Sequence, residues 1–351
     1  MSLSLRMSLD SDLTIAAHKF NPGASSDKAE KLLDQLRHVG KIGPTWWDVG
    51  AERYRQMRLN GETPTPKPTI LPQGRDILIP SREAGRKIPC RLFYPSHSSR
   101  DGVKGVFLHF HGGGWVLMSE ATSDPLLQFY ADVSDCVALS VGYRLAPEHP
   151  FPAAPEDCFD VAEYIVEHGG REFGGSLRFI GGESAGAQMS VMTTFQLFRS
   201  RPTFSLPGGL VLNFGVYDLS LLPSAFTLKK PAMLDRDIMG QFHKAFLPAR
   251  PPAECKDASV SPLYEQLEDF RMGNGDSRLH KALFICGTAD PLLDDSVFMS
   301  VKWMMAGAEA ILKIYEGAPH SFIAFSAEMS DEARRAKADV KTFLSEQVNG
   351  R

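Results

Sequence analysis

Five short apolar runs constrain the fold more than any other feature of the chain: GVFLHF, CVALSVGY, LRFIGG, GLVLNFG and KALFICG, spread over residues 105–287. Each is rich in β-branched and aromatic residues and too short for a buried helix, so each reads as a strand. Helical patterns such as PEDCFDVAEYIVEHGG and SVMTTFQLFRS fall between them. Strands that are apolar on both faces and alternate with helices make a mostly parallel sheet covered on both sides. RDILIPSR and KIPCRLFYP precede the series as a strand pair, and AILKIYEG follows it. The expected fold is α/β, with eight strands.

Two segments stand outside that rhythm. Residues 1–70 read mostly as helix, with SDKAEKLLDQLRHVG the clearest amphipathic run, and the prolines of NGETPTPKPTILPQG then mark a linker. Between GLVLNFG and KALFICG the chain is far longer than an ordinary crossover. It carries a helix-like stretch with Met233, Met239, Phe242 and Phe246 on one side. Such an insertion either packs on its neighbours as an elaboration or covers a site as a lid. The division read from the sequence is an N-terminal helical cap at 1–70 and a catalytic domain at 71–351, with a cap insertion at about 219–278.

Composition removes several function classes. The net charge is -4 and no basic run stands out, so nucleic-acid binding has no electrostatic support. No apolar run approaches the ~18 residues needed to span a bilayer. The first twenty residues lack the continuous apolar stretch of a secretory signal. The 5 cysteines are scattered without a C-x-x-C pair, which argues against a zinc site or a disulfide framework and for a reducing compartment, with the cytoplasm as the expected location.

Three consecutive glycines in FLHFHGGGW interrupt a strand end, and each costs stability there. They mark either a tight turn or a loop whose bare N–H groups approach a substrate. A nucleotide-binding reading fails, because G-x-G-x-x-G from Gly112 would need glycine where Leu117 stands. A second motif, Gly182-Glu183-Ser184-Ala185-Gly186, lies between a strand and a helix. There a serine sits on a sharp turn with its hydroxyl above the sheet, or it merely caps the helix. The two stretches explain each other. A serine attacking an ester carbonyl creates an oxyanion that needs preorganised donors. Ala185 supplies one N–H, and Gly113 and Gly114 supply others, with Gly112 a further candidate. His111 is expected to fix the loop. Trp115 reads equally as pocket wall or core.

The serine needs a base and the base a carboxylate. Three histidines follow Ser184 in the chain. His320, in YEGAPHSF, lies just past the last strand. His243 falls in the insertion, and His280 precedes a strand at its wrong end. For the acid, Asp290 lies at the carboxyl end of the seventh strand, where ligand sites in such sheets gather. Asp294 and Asp295 fall in the following helix and are expected to be solvated.

HGGGW, GYRLAPEHPFPAAPEDC, GESAG, DPLLDD and APHSF occur in the order and spacing of a known group. From about residue 70 onward the chain resembles the hormone-sensitive-lipase-like carboxylesterases of the α/β-hydrolase superfamily. The resemblance implies a Ser184–Asp290–His320 triad, an oxyanion hole of Gly113, Gly114 and Ala185, and neither metal nor organic cofactor. Glu148 and His149 fall in a motif that looks structural. Two departures stand out: GESAGAQ replaces the usual SAGGN and adds bulk beside the nucleophile, and HSF replaces HGF. The expected partner is a small-molecule ester, apolar given the 22 phenylalanines and the Met/Phe-rich insertion, with Trp115, Met239 and Phe242 in contact with it. Self-association as a homodimer is left open. The same triad could serve acyl transfer, lactone formation or elimination on a specialised metabolite. A receptor on this scaffold, as the gibberellin receptors are, lacks the histidine that stands here as His320.

Overall fold

The computed structural model describes residues 11–21, 23–97, 102–272 and 276–350, so the first ten residues of the N-terminal segment lie outside the described residues. Eight strands form one sheet: β1 (Arg75–Pro80), β2 (Lys87–Phe93), β3 (Val106–Phe110), β4 (Val137–Val141), β5 (Leu177–Glu183), β6 (Gly209–Asn213), β7 (Ala282–Ala289) and β8 (Ala310–Pro319). Their order is β1-β2-β4-β3-β5-β6-β7-β8. β2 runs antiparallel to both β1 and β4, and the remaining neighbours are parallel.

Alternate residues of each central strand feed two separate cores, which is why these strands read as continuous apolar runs. Leu108, Ile180, Leu210, Leu212 and Phe284 face one core with α5 (Ala153–Phe173), α6 (Ala185–Ser200) and α9 (Leu293–Met305). Phe107, Phe179, Val211, Leu283 and Ile285 face the other, against α4 (Asp124–Ser134) and α10 (Asp331–Asn349). Each fully buried Phe or Leu contributes about 1.5–3 kcal/mol relative to exposure. A one-residue slip in register would exchange the two faces of a strand.

The order of the strands also fixes where a site can form. From β3 the chain passes to β4 on one side, while β5 lies on the other. Loops leaving the carboxyl ends of β3 and β5 therefore part company and leave a crevice between them. The glycine loop leaves β3 there and the serine turn leaves β5 there.

Above that crevice, short helices from two distant parts of the chain meet. The N-terminal part holds α1 (Asp27–Val39), α2 (Trp46–Val49) and α3 (Ala51–Asn60); the segment between β6 and β7 holds α7 (Ser224–Thr227) and α8 (Arg236–Phe246). Ser26 caps α1 by accepting from Ala29 N, and Asp235 caps α8 by accepting from Ile238 N. Lys19 donates to Ile314 O at 2.7 Å and Glu316 at 2.9 Å, which fastens the N-terminal part to β8. Trp46 stacks on Phe242 with centroids 5.5 Å apart. Around them Ala51, Val116, Leu117, Ala146 and Ala245 form a small core of their own. The PEHPFPAAPEDC motif is part of the frame: Arg144 and Arg86 converge on buried Asp157, and Glu148 receives Arg55 at 2.7 Å.

Candidate active site

Ser184 joins β5 to α6 with φ 56° and ψ -118°, a conformation a side chain rarely accepts. The glycines two residues either side make the turn sterically feasible. A Cβ at Gly186 would fall on the carbonyl of Phe110, the last residue of β3, and a Cβ at Gly182 would meet the same carbonyl and Gly186 itself. Strand β3 can thus press directly against the turn. The Ser184 N–H is satisfied by Asn213 O at 3.0 Å, which holds the turn to β6.

His320, just past β8, places Nε2 2.9 Å from Ser184 Oγ and Nδ1 2.9 Å from Asp290 Oδ2. The edge of Phe214 meets the imidazole ring at 5.0 Å. Asp290 follows β7, and its other oxygen accepts Leu292 N at 2.9 Å. The sequence-predicted residues from the ends of three strands are therefore within one hydrogen-bonded chain. The other histidines are spent elsewhere. His243 lies 2.7 Å from Arg250 O, and His280 3.0 Å from Ser205 Oγ.

Asp294 and Asp295 require a correction. Asp294 accepts Ser224 N at 2.8 Å. Asp295 is not solvated: it is buried and accepts Tyr217 N at 2.7 Å and Asp218 N at 2.9 Å. Burial pushes its carboxyl well above the ordinary carboxylate value against those two bonds. The helix that carries it turns this face inward, beneath the start of the β6–β7 segment.

The glycine loop lies beside the serine turn. A Cβ on Gly112 would stand 3.0 Å from Glu183 O and 3.6 Å from Ser184 Cβ. Gly113 and Gly114 have φ 104° and 61°. Among the described residues, no hydrogen bond uses the N–H of Gly113, Gly114 or Ala185. Ala185 is the first residue of α6, whose N–H has no partner within the helix. His111 holds the loop: Nδ1 lies 2.8 Å from Gly112 O, and the ring stacks on Tyr143 at 4.2 Å. Burial pushes this imidazole down to about 4, so it is neutral at neutral pH.

The three residues expected to meet a substrate take different places. Trp115 and Met239 belong to the main core, and Trp115 stacks on Phe246 at 4.4 Å. Phe242 lies over Gly114 so closely that a Cβ there would stand 2.4 Å from its nearest ring atoms. Gln188, in the GESAGAQ departure, has both ends of its side-chain amide bonded. Its Oε1 accepts Trp115 Nε1 at 2.8 Å and its Nε2 donates to Val260 O at 2.6 Å.

Beneath the turn lies a buried polar group that sequence reading missed. Glu183 meets His109 Nε2 at 2.7 Å, Tyr130 at 2.9 Å and Asn213 Nδ2 at 3.1 Å, and His109 Nδ1 lies 3.0 Å from Ser140. One member comes from each of β4, β3, β5 and β6. His109, inside an apolar strand, was the available signal. No group of three or more His, Cys, Asp or Glu able to hold a metal occurs among the described residues.

Comparison with known proteins agrees with this architecture. A family model described as alpha/beta hydrolase fold matches residues 107–324. Carboxylesterase NlhH of Mycobacterium tuberculosis is 31% identical over 293 residues, covering 80% of this chain and 83% of that protein. The solved esterase of Pyrobaculum calidifontis superposes with a TM-score of 0.72 at 26% identity, covering 89% of this chain and 97% of its own. A hormone-sensitive lipase from a metagenome library shares the fold at a TM-score of 0.72 and 23% identity, covering 91% and 98%. The chain belongs to the alpha/beta hydrolase family.

Proposed function

We propose that the chain is a carboxylic ester hydrolase working through a serine acyl-enzyme. The observation that carries this reading is the unbroken relay Ser184 Oγ, His320 ring, Asp290 carboxylate, each link 2.9 Å. Asp290 accepts from Nδ1–H, which leaves the Nε2 lone pair facing the serine hydroxyl. His320 takes that proton as Oγ attacks the ester carbonyl, and the new oxyanion meets the N–H groups of Gly113, Gly114 and Ala185. Collapse expels the alcohol, which receives the proton from His320. Water then repeats the sequence on the acyl-enzyme. The esterase names of the relatives support the same class. No step calls for a cofactor.

The N-terminal helices and the β6–β7 segment act in this reading as a cap. Phe242, packed between Trp46 and Gly114, forms the apolar side of a pocket for small-to-medium esters. No helix among the described residues is long and apolar enough to cross a membrane, and the five cysteines are unpaired and buried, which favours a reducing compartment such as the cytoplasm.

The test is turnover of p-nitrophenyl esters of increasing acyl length by wild type and Ser184→Ala, with mass-spectrometric mapping of an organophosphonate label. One label per chain, on Ser184, is expected. A label on any other residue, or undiminished turnover by Ser184→Ala, would overturn the assignment.

A further inference from the structure

Arg58 is an anomaly on the inner face of α3. At 100° per residue, Ala51, Tyr54, Arg55 and Arg58 fall within about 100° of arc on that helix. Ala51 is buried in the small core with Val116 and Leu117, and Tyr54 packs against it. Arg55 donates to Val116 O at 2.8 Å, two residues beyond Gly114. The opposite face, with Glu52, Arg53, Gln56, Leu59 and Asn60, is exposed. Arg58 thus sits near the middle of the arc that lies over the loop following the glycines.

A guanidinium in such a place ordinarily has a carboxylate. Arg55, its neighbour on the same face, has Glu148 at 2.7 Å. Among the described residues Arg58 makes no ion pair, no side-chain hydrogen bond and no stacking over a ring. Its Nε is buried without any partner. Burial also lowers its affinity for its proton below that of an ordinary arginine. The buried Nε lacks a hydrogen-bond partner and the guanidinium lacks a counter-charge within the protein, and a carboxylate ligand would supply both.

We infer that Arg58 is the receptor for a carboxylate on the substrate, and that the preferred esters are half-esters of dicarboxylic acids or similar anionic esters. This rests on the esterase reading and narrows it. Phe242 and Trp46 contact the chain of the substrate, and the guanidinium takes its far, charged end in a bidentate pair. A neutral ester of equal length leaves Arg58 unpaired and loses that interaction.

The experiment measures kcat/KM by pH-stat for monoethyl glutarate, adipate and pimelate against ethyl esters of the matching monocarboxylic acids. Binding of the same half-esters to Ser184→Ala is followed by calorimetry. At least one half-ester should exceed its neutral counterpart tenfold or more. Arg58→Met should abolish that ratio, weaken half-ester binding to Ser184→Ala at least tenfold, and leave turnover of p-nitrophenyl butyrate within threefold. Arg58→Lys should retain part of the preference. The melting temperature of Arg58→Met should equal or exceed that of wild type, which shows that any loss is not unfolding. Wild-type preference for every neutral ester, or an unchanged ratio in Arg58→Met, overturns the inference while the esterase reading stands. Arginine-dependent binding without hydrolysis of any ester overturns the esterase reading and leaves the anion site.

Discussion

The side-chain carbonyl of Gln188 accepts the indole N–H of Trp115 at 2.8 Å, one turn beyond Ser184. Through its amide the same side chain reaches Val260, so α6, the glycine loop and the β6–β7 segment are tied at one point. Gln188→Leu would leave the indole N–H and the Val260 carbonyl buried and unpaired, at about 1–3 kcal/mol each. Trp115 follows Gly114 directly and holds φ 62°, so loss of its anchor should also misplace the loop. The expected result is a lowered melting temperature with a roughly tenfold lower kcat. An unchanged kcat in a destabilised variant would limit Gln188 to packing.

The proposed relay can be separated from its neighbours by substituting the three aspartates. Asp290→Asn should lower kcat by at least about two orders of magnitude, because it can impose the wrong tautomer on His320. Asp295→Asn keeps an acceptor for Tyr217 and Asp218 and matches the uncharged carboxyl that burial favours, so activity should stay within about tenfold. Asp295→Ala loses both bonds and should unfold at a lower temperature instead. Steady-state rates on folded protein decide the matter. Crippled Asp295→Asn beside active Asp290→Asn would put the acid on α9.

Much of this was legible in the sequence because it depends on the backbone. Two-sided strands follow from unbroken apolar runs, and the serine turn follows from glycines at 182 and 186 that face the Phe110 carbonyl. Asp290 and His320 were readable because strand ends in a parallel sheet converge. Side chains whose partners are distant in sequence were not. Asp295 looks like any acidic residue in the first turn of a helix, and its burial depends on Tyr217, 78 positions away. Gln188 differs from asparagine by one methylene, and only the position of Val260 gives that length a meaning. Arg58 sits among ten other charged residues of helices α1–α3, and nothing local marks it as unpaired.

Phe242 and Gly114 give a paired test of the proposed oxyanion loop. Gly114→Ala places a methyl 2.4 Å from the nearest Phe242 ring atoms at a residue with φ 61°, so both the loop and α8 must move. If the loop's N–H groups meet the oxyanion, kcat should fall by about 100-fold or more. Phe242→Ala in the same chain removes the clash and should recover part of that loss. Full activity in Gly114→Ala alone would show that these donors are not used.

His111 predicts a pH dependence of stability. Its folded value of about 4 lies below the value near 6.5 expected of an unfolded chain. The stabilisation is therefore fully present above about pH 6.5 and is lost as pH falls toward 4, to a total of about 3 kcal/mol. His111→Asn keeps a donor beside Gly112 O and does not titrate in this range. Melting temperature against pH should fall less steeply for His111→Asn than for wild type between pH 7 and 4. Parallel curves would count against a neutral buried imidazole.

Ser321 stands where the related pattern has glycine, and the backbone there explains the pattern. Its φ of 64° and ψ of 12° lie in the left-handed region, which costs an L-residue about 1–2 kcal/mol. Glycine removes that cost but frees the unfolded chain by about 0.5–1 kcal/mol. The first effect is larger, so Ser321→Gly should stabilise the protein by up to about 1 kcal/mol. The side chain of Ser321 makes no hydrogen bond among the described residues, and the turn is kept by Ala324 N donating to Ser321 O at 3.1 Å. His320 should therefore stay in place, with kcat within about twofold of wild type. Thermal unfolding and steady-state rates on the same samples test both halves. A lower melting temperature would mean that the strain is relieved elsewhere, whereas a higher one with lost activity would mean that the stiffness of serine holds the imidazole against Ser184.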